Sequence, residues 1–373
     1  MKKKLGSLFI SLTLVMSLVL VGCSSDSKTE TPATETPVTE DKPLSIGFLY
    51  VGPVGDEGWT YAHDVSRKEL ETELGVTTML RESVKEDLAE VENVCEDMIN
   101  QGANVIVGTS FGFMDGMEAS ALKHPDVKYL HASGYKSSEN MSNYFGRMYQ
   151  ARYLSGIVAG MKTKTNTIGY VAAFAIPEVI RGINAFTLGV QSVNPKAIVK
   201  VRWTNTWYDP ATEKEAGKAL IADGVDVLSQ HQDTAGPLQA AEEAGVFAIG
   251  YNTIMEAKAP KAYMTSPIWD WTPYYVSQVK AIQDGTWKSS SYWGGLDDGI
   301  VKLAPLTANA PEGAQAAVDK AEEAILSGEN KIFVGPLMGQ DGKVKVEKDI
   351  EMTDSEMLQM DWFVEGVEGQ IAK

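Results

Sequence analysis

The chain has 373 residues, 44% of them hydrophobic, with 50 Asp+Glu against 33 Lys+Arg and a formal net charge of −17. That length exceeds one ordinary core and calls for two lobes, and a surface so acidic repels phosphate backbones, which argues against nucleic acid as a partner. With only 2 Cys and 34 Gly, the composition also excludes a disulfide scaffold and a collagen-like chain.

At the N-terminus, Lys2, Lys3 and Lys4 precede an apolar run over 5–21. A basic start, an apolar middle and a small residue before a cysteine follow the plan of a secretory signal. The stretch Leu20-Val21-Gly22-Cys23 resembles a bacterial lipobox, which implies lipidation of Cys23 after removal of residues 1–22. The plainer alternative is an N-terminal anchor helix in which the cysteine is incidental. Residues 23–43 are rich in Ser, Thr, Pro and Glu and lack apolar periodicity, so they read as a lipidated cysteine followed by a disordered tether. The implied location is the cell membrane, with the body lipid-anchored and facing outside the cytoplasm, at the cell surface or in the periplasm. Cys95 would then be the remaining thiol, in a stretch of helical apolar spacing that marks it as a packed core residue.

From residue 44 onward, short β-branched runs alternate with longer amphipathic stretches. Strands are predicted at 44–50, 77–80, 103–108 and 127–131, with helices over 58–74 and 87–101 and another before 127. After a helix over 151–161 the pattern restarts at 167–171 and continues through 198–203, 225–228 and 246–250. This alternation predicts an α/β protein of two doubly wound parallel-sheet lobes. The lobes are expected to be 44–165 plus 261–290 and 166–260 plus 291–373, with a cleft between them.

Ligands of such sheets sit outside the carboxyl ends of the strands. The residues there include Trp59, Phe111, Glu178, Asn205, Trp207, Asp233, Asn252 and Asp270. Aromatic plates and neutral or acidic edge groups dominate, and Arg181 is the one nearby candidate for an anion fork. Such a set fits a flat heteroaromatic, whose faces stack and whose edge is read by Asn and Asp groups. Trp203, Trp269, Trp271, Trp287 and Trp293 could equally close the hinge or fill core.

Catalytic readings find less support. Gly108-Thr109-Ser110-Phe111-Gly112 matches G-x-S-x-G after a strand. His231 and Asp233 sit only two residues apart, however, and no HGGG-type oxyanion loop is present, so a Ser hydrolase using Ser110 is the weakest reading. The four histidines show no metal-binding spacing, and no phosphate-binding glycine motif occurs, so neither metal nor cofactor is expected.

The segment Val51-Gly52-Pro53-Val54-Gly55-Asp56-Glu57-Gly58-Trp59-Thr60-Tyr61-Ala62-His63-Asp64 resembles the basic membrane protein family of solute-binding lipoproteins, which serve ABC importers. Gly108-Thr109-Ser110-Phe111-Gly112, Tyr153-Leu154-Ser155-Gly156 and Asn205-Thr206-Trp207-Tyr208-Asp209-Pro210 extend the resemblance across roughly 44–370. It implies the type I periplasmic-binding-protein fold with a multi-crossover hinge, a non-enzymatic role, an ABC permease as partner and a purine as ligand. It also implies that Trp59 and Trp207 present opposing aromatic faces to the base, with Phe111 on the wall. Asn205, Asp233 and Asn252 are the expected edge groups, followed by Glu178 and Asp270. Asn252 stands where nucleoside binders of the family carry a ribose-gripping Asp, and Thr265-Ser266 lacks the Lys that follows in those proteins. The chain is thus more similar to the subgroup associated with free purine bases, adenine foremost. A purine-nucleoside binder and a surface ligand sensor remain the alternatives.

Overall fold

The computed structural model describes residues 44–371, so the expected signal segment, Cys23 and the tether lie outside the described residues. Residues 43–373 form one compact unit, which contains both sheets and the apolar clusters that pack them. The first stretch runs β1 (Ser45–Leu49), α1 (Trp59–Leu74), β2 (Thr77–Arg81), α2 (Leu88–Asn100) and β3 (Val105–Gly108). It continues with α3 (Met114–Lys123), β4 (Lys128–Ala132), β5 (Met141–Gly146) and α4 (Met148–Lys162). The second stretch runs β6 (Thr167–Ala172), α5 (Pro177–Val193), β7 (Ile198–Trp203), α6 (Pro210–Ala222) and β8 (Val227–His231). Next come α7 (Gly236–Ala244), β9 (Phe247–Ile249), β10 (Tyr263–Thr265), β11 (Pro267–Trp269) and α8 (Thr272–Gln283). Then follow β12 (Ser291–Gly294), β13 (Val301–Leu303), α9 (Ala314–Leu326), β14 (Leu337–Met338), β15 (Val344–Val346), α10 (Asp354–Leu358) and β16 (Val367–Glu368).

Two six-stranded sheets result, ordered β12-β5-β4-β3-β1-β2 and β10-β9-β8-β6-β7-β16. Every pairing in both is parallel. Central strands such as Val105–Gly108 and Val227–His231 are buried along their whole length, as helices on both faces of a parallel sheet require. Cys95 packs in the core behind the first sheet, and burial pushes its thiol up to about 12.

The crossings between lobes fall at other positions than the sequence predicts. Helix α4, expected in the first lobe up to residue 165, packs on α5 of the second. A Cβ on Gly189 would lie 2.0 Å from the Tyr153 carbonyl oxygen, and one on Gly156 2.1 Å from that of Phe186. The glycines thus bring the two helix backbones together, which assigns α4 to the second lobe and places the first crossing at 146–148. β10, expected in the first lobe from 261, extends the second sheet beside β9. β12, expected in the second lobe from 291, hydrogen-bonds to β5 at the edge of the first sheet. The second and third crossings therefore run through β11 and β13, which pair antiparallel with each other between the lobes.

Strand β5 has no counterpart in the sequence-based reading, because Ser142 and Asn143 interrupt its apolar run. Both are buried and bonded: Ser290 N–H donates to Ser142 Oγ at 3.0 Å, and Asn143 Nδ2 donates to Ser291 Oγ at 3.0 Å. Among the described residues, no helix is long and apolar enough to cross a membrane.

Candidate functional site: a cavity between the lobes

The loop after β1 is organised by Asp56. Its Oδ1 accepts from the N–H groups of Gly58 at 2.8 Å and Tyr61 at 2.9 Å, and its Oδ2 accepts from Thr60 N–H at 2.8 Å. A carboxylate is favoured at a helix N-terminus, yet burial pushes Asp56 up to about 6 despite these bonds. This turn makes Trp59 the first residue of α1. The Trp59 indole N–H donates to the Thr109 carbonyl at 2.6 Å, and its ring meets Trp269 and Trp271 edge-on at 5.6 and 5.7 Å. Those two indoles stack on each other at 4.6 Å, and His63 stacks on Trp271 at 4.8 Å. Trp269 and Trp271 are thus hinge packing that fixes Trp59.

The lobes are closed on each other. A Cβ on Gly58 would lie 2.2 Å from the Asp233 carbonyl oxygen, so only glycine permits this approach of the first lobe to the second. Beside it, the Thr253 hydroxyl donates to the Glu57 carbonyl, and Lys258 pairs with the Glu57 carboxylate at 2.7 Å. Ser133 donates its hydroxyl across the cleft to Glu178 in the first turn of α5.

Between the lobes lies a small cavity of about 30 Å³, lined by Val51, Trp59, Ser110, Phe111 and Ser133 of the first lobe. The second lobe supplies Glu178, Trp207, His231, Asp233 and Tyr251. No Lys or Arg is among these residues. Trp207 is half-buried, leans on Phe174 at 5.1 Å, and offers its carbonyl to the Asp233 N–H at 3.2 Å. Asp233 is held well above the usual carboxylate range, first by burial and then by the nearby Asp56 and Glu213 charges. Burial likewise lowers His231 to about 4, against the opposing pull of Glu178, whose Oε1 lies 3.4 Å from its Nε2. At neutral pH the cavity therefore presents an uncharged imidazole beside a carboxyl that holds its proton more tightly than usual.

Of the expected residues, Trp59, Phe111, Glu178, Trp207 and Asp233 line this cavity. Asn205, Asn252 and Asp270 do not. Asn205 is exposed, with φ of 55°, in the turn that carries Trp207 inward. Asn252 is fully buried behind the wall, where its Nδ2 donates to Asp233 Oδ1 at 3.2 Å and its Oδ1 accepts from the Trp269 indole at 3.0 Å. Asp270 pairs with Lys302 at 2.7 Å and accepts from Thr272 N–H at the start of α8. The lining residues not among the expected ligand groups, Val51, Ser110, Ser133, His231 and Tyr251, all lie at or just after strand ends, which is the signal that could have found them.

The Ser110 hydroxyl donates to Glu86 Oε1 at 2.5 Å. His131 reaches the Ser110 main-chain carbonyl at 2.7 Å, and His231 faces Glu178 instead. The nucleophile–base pairing that acyl transfer needs is therefore not made.

Comparison with known proteins agrees with this geometry. The family model described as an ABC transporter substrate-binding protein, PnrA-like, matches residues 44–333. The chain belongs to the Bmp family. The Bmp chain is 42% identical over 333 residues to a purine-binding protein of Brucella abortus, covering 89% of this chain and 95% of that one. It is 40% identical over 336 residues to a Haloferax volcanii protein named for glucose binding in an ABC transporter, covering 89% and 82%. Among solved structures, an ABC transporter solute-binding protein of Aeropyrum pernix superposes with a TM-score of 0.69 at 22% identity, covering 79% of this chain and 94% of that one. A transcriptional activator of comK from Bacillus halodurans gives 0.67 at 22% identity, covering 77% and 99%. The fold is accordingly the type I periplasmic-binding-protein fold, and this Bmp protein is a non-enzymatic substrate-binding protein.

Proposed function

We propose that this Bmp protein captures a free purine base, adenine foremost, and delivers it to the permease of an ABC importer while tethered outside the cytoplasm through lipid on Cys23. The observation that carries the ligand class is the pair Trp59 and Trp207, which face one small cavity from opposite lobes with no Lys or Arg beside them. Two aromatic faces suit a planar base, each stack being worth roughly 1–3 kcal/mol. A cavity without cations disfavours a phosphate or carboxylate ligand, for which an Arg fork would be expected. Burial favours the protonated form of Asp233, which would offer a donor and an acceptor together and match the amino group and ring nitrogen on one edge of adenine. Because the ligand would touch both lobes, it would bind the closed form better than an open one and shift the population towards closure.

The name of the Brucella abortus relative supports a purine, whereas that of the Haloferax volcanii relative favours a second reading, a hexose between the same two rings. Isothermal titration separates them. The body, residues 43–373, is unfolded and refolded to strip any bound ligand, then titrated with adenine, hypoxanthine, guanine, adenosine and glucose. Tight adenine with weak adenosine supports the proposal. Tight adenosine points to a nucleoside binder, and tight glucose with silent purines overturns the purine reading. The anchor has its own test: Cys23→Ser in the full chain should move the protein from the membrane fraction to the soluble one.

A further inference from the structure

The loop 82–87, between β2 and α2, carries two exposed glutamates whose carboxylates turn back towards the ligand site. Its main chain is fixed on the first lobe. Val84 N–H donates to the Tyr50 carbonyl at 2.9 Å and Ser83 N–H to the Gly52 carbonyl at 3.3 Å, with the Val84 side chain buried. From there Glu82 Oε1 accepts the Val54 N–H at 2.5 Å. Glu86 Oε1 accepts both the Ser110 hydroxyl at 2.5 Å and the Gly112 N–H at 3.0 Å. Val54 stands in the turn that Asp56 organises ahead of Trp59, and Ser110 and Gly112 bracket Phe111. One short loop thus braces both turns that carry first-lobe aromatic rings into the cavity wall.

An exposed carboxylate is ordinarily left to water, but the turn at 108–112 is shaped around Glu86. A Cβ on Gly112 would lie 2.6 Å from Glu86 Cβ, Cδ and Oε1, so the chain keeps a glycine where that side chain crosses it. Gly108 makes room for Met117 in the same way, its Cβ falling 2.1 Å from the sulfur. Both glycines of the G-x-S-x-G match therefore serve packing. The start of the turn is pinned from within: the Thr109 hydroxyl donates to the Leu49 carbonyl at 2.9 Å, and the Thr109 and Ser110 carbonyls accept from the Trp59 indole and His131. Phe111 is held less firmly by packing, since its ring is half-buried and meets the exposed Tyr135 at 6.5 Å. Its place in the cavity wall depends on the main chain on either side, which is where Glu86 bonds.

We propose that Glu86, supported by Glu82, is a positioning residue for ligand binding, acting from outside the cavity through Ser110 and Phe111. The inference rests on the reading that the solute binds between Trp59 and Trp207, but not on which solute it is. Releasing the turn leaves a fraction of the molecules competent to bind, so apparent affinity and association rate fall together by that fraction. Dissociation starts from the assembled complex and keeps its rate.

The test titrates the body, residues 43–373, with adenine, and with glucose as the second probe. Glu86→Ala should bind roughly tenfold more weakly, with the loss in the stopped-flow association rate and the Tm unchanged, because the side chain is exposed. Glu86→Gln, whose amide oxygen can accept the same two bonds, should stay within about twofold of the parent. Gly112→Ala pushes Glu86 aside by a separate route, so it should weaken binding as Glu86→Ala does, and the double variant should be no worse than either single one. Parent-like binding by Glu86→Ala overturns the proposal, as does a Glu86→Gln loss as large as that of Glu86→Ala. A loss carried by the dissociation rate also overturns it, since that would put Glu86 on the ligand itself. A parent silent to both probes removes the reading of the cavity, and this inference with it.

Discussion

Asn252 donates its amide N–H to Asp233 Oδ1 at 3.2 Å from a site with no solvent exposure. Its own oxygen accepts the Trp269 indole proton at 3.0 Å. One amide thereby links the carboxyl in the cavity to hinge strand β11. Asn252→Ala leaves both partners buried and unpaired, at about 1–3 kcal/mol for each orphaned group. The expected outcome is a drop of about 2 kcal/mol or more in urea-unfolding stability and a roughly tenfold loss of adenine affinity by calorimetry. Unchanged affinity would show that Asp233 needs no positioning.

The two cavity tryptophans should respond differently. Trp207 is half-buried, so Trp207→Ala should weaken adenine binding tenfold or more, in line with one lost stack, with little change in Tm. Trp59 is 8% exposed and wedged against Trp269 and Trp271. Trp59→Ala should therefore cost affinity and also about 3–5 kcal/mol of stability. Equal stability loss in the two variants would contradict this packing.

Glu213 carries a pH dependence with a definite sign. Its carboxyl accepts from Asp209 N–H at 2.8 Å and from the Thr234 hydroxyl, and burial pushes it up to about 7 from an ordinary 4.5. The folded state thus binds its proton more tightly than the unfolded chain, so this group lowers stability as pH rises from about 4.5 to about 7 and adds no further change above. His231, lowered to about 4 by burial, acts in the opposite sense, its contribution falling away as pH drops from 6.5 towards 4. Glu213→Gln keeps the shape of the protonated carboxyl. Relative to the parent it should gain up to about 3 kcal/mol between pH 5 and pH 8 in urea unfolding. A constant difference across that range would place the Glu213 carboxyl outside the buried environment described.

The contact of α4 with α5 predicts a severe effect from one methyl. Gly189→Ala would set a carbon 2.0 Å from the Tyr153 carbonyl oxygen, which neither backbone can yield without separating the helices. A loss of about 3 kcal/mol is expected by thermal or urea unfolding. A neutral outcome would mean that the helices sit further apart.

The two sheets were readable because their central strands are continuous β-branched runs between amphipathic helices. The crossings were not, for a physical reason. β11 and β13 span three residues each, too short for periodicity, and β12, Ser291–Gly294, is an edge strand with one aromatic pair and no apolar run. The strand-end rule found Trp59, Phe111, Glu178, Trp207 and Asp233. It overreached at Asn205 and Asn252, whose φ angles of 55° and 69° lie in the left-handed region that asparagine tolerates. Both asparagines are there to bend the chain, and position along the sequence does not reveal where such a bend aims the side chain. Asp270 follows the same logic: it accepts from Thr272 N–H at the start of α8 and pairs with Lys302, a role that resembles a binding carboxylate in one dimension.

The stacked indoles of Trp269 and Trp271 sit where the lobes pivot, with the edges of their rings against Trp59. Separating the lobes would change the surroundings of three coupled ultraviolet chromophores at once. The untagged protein therefore carries a built-in optical gauge, and stopped-flow recording of its own emission can time each opening and shutting without any attached dye.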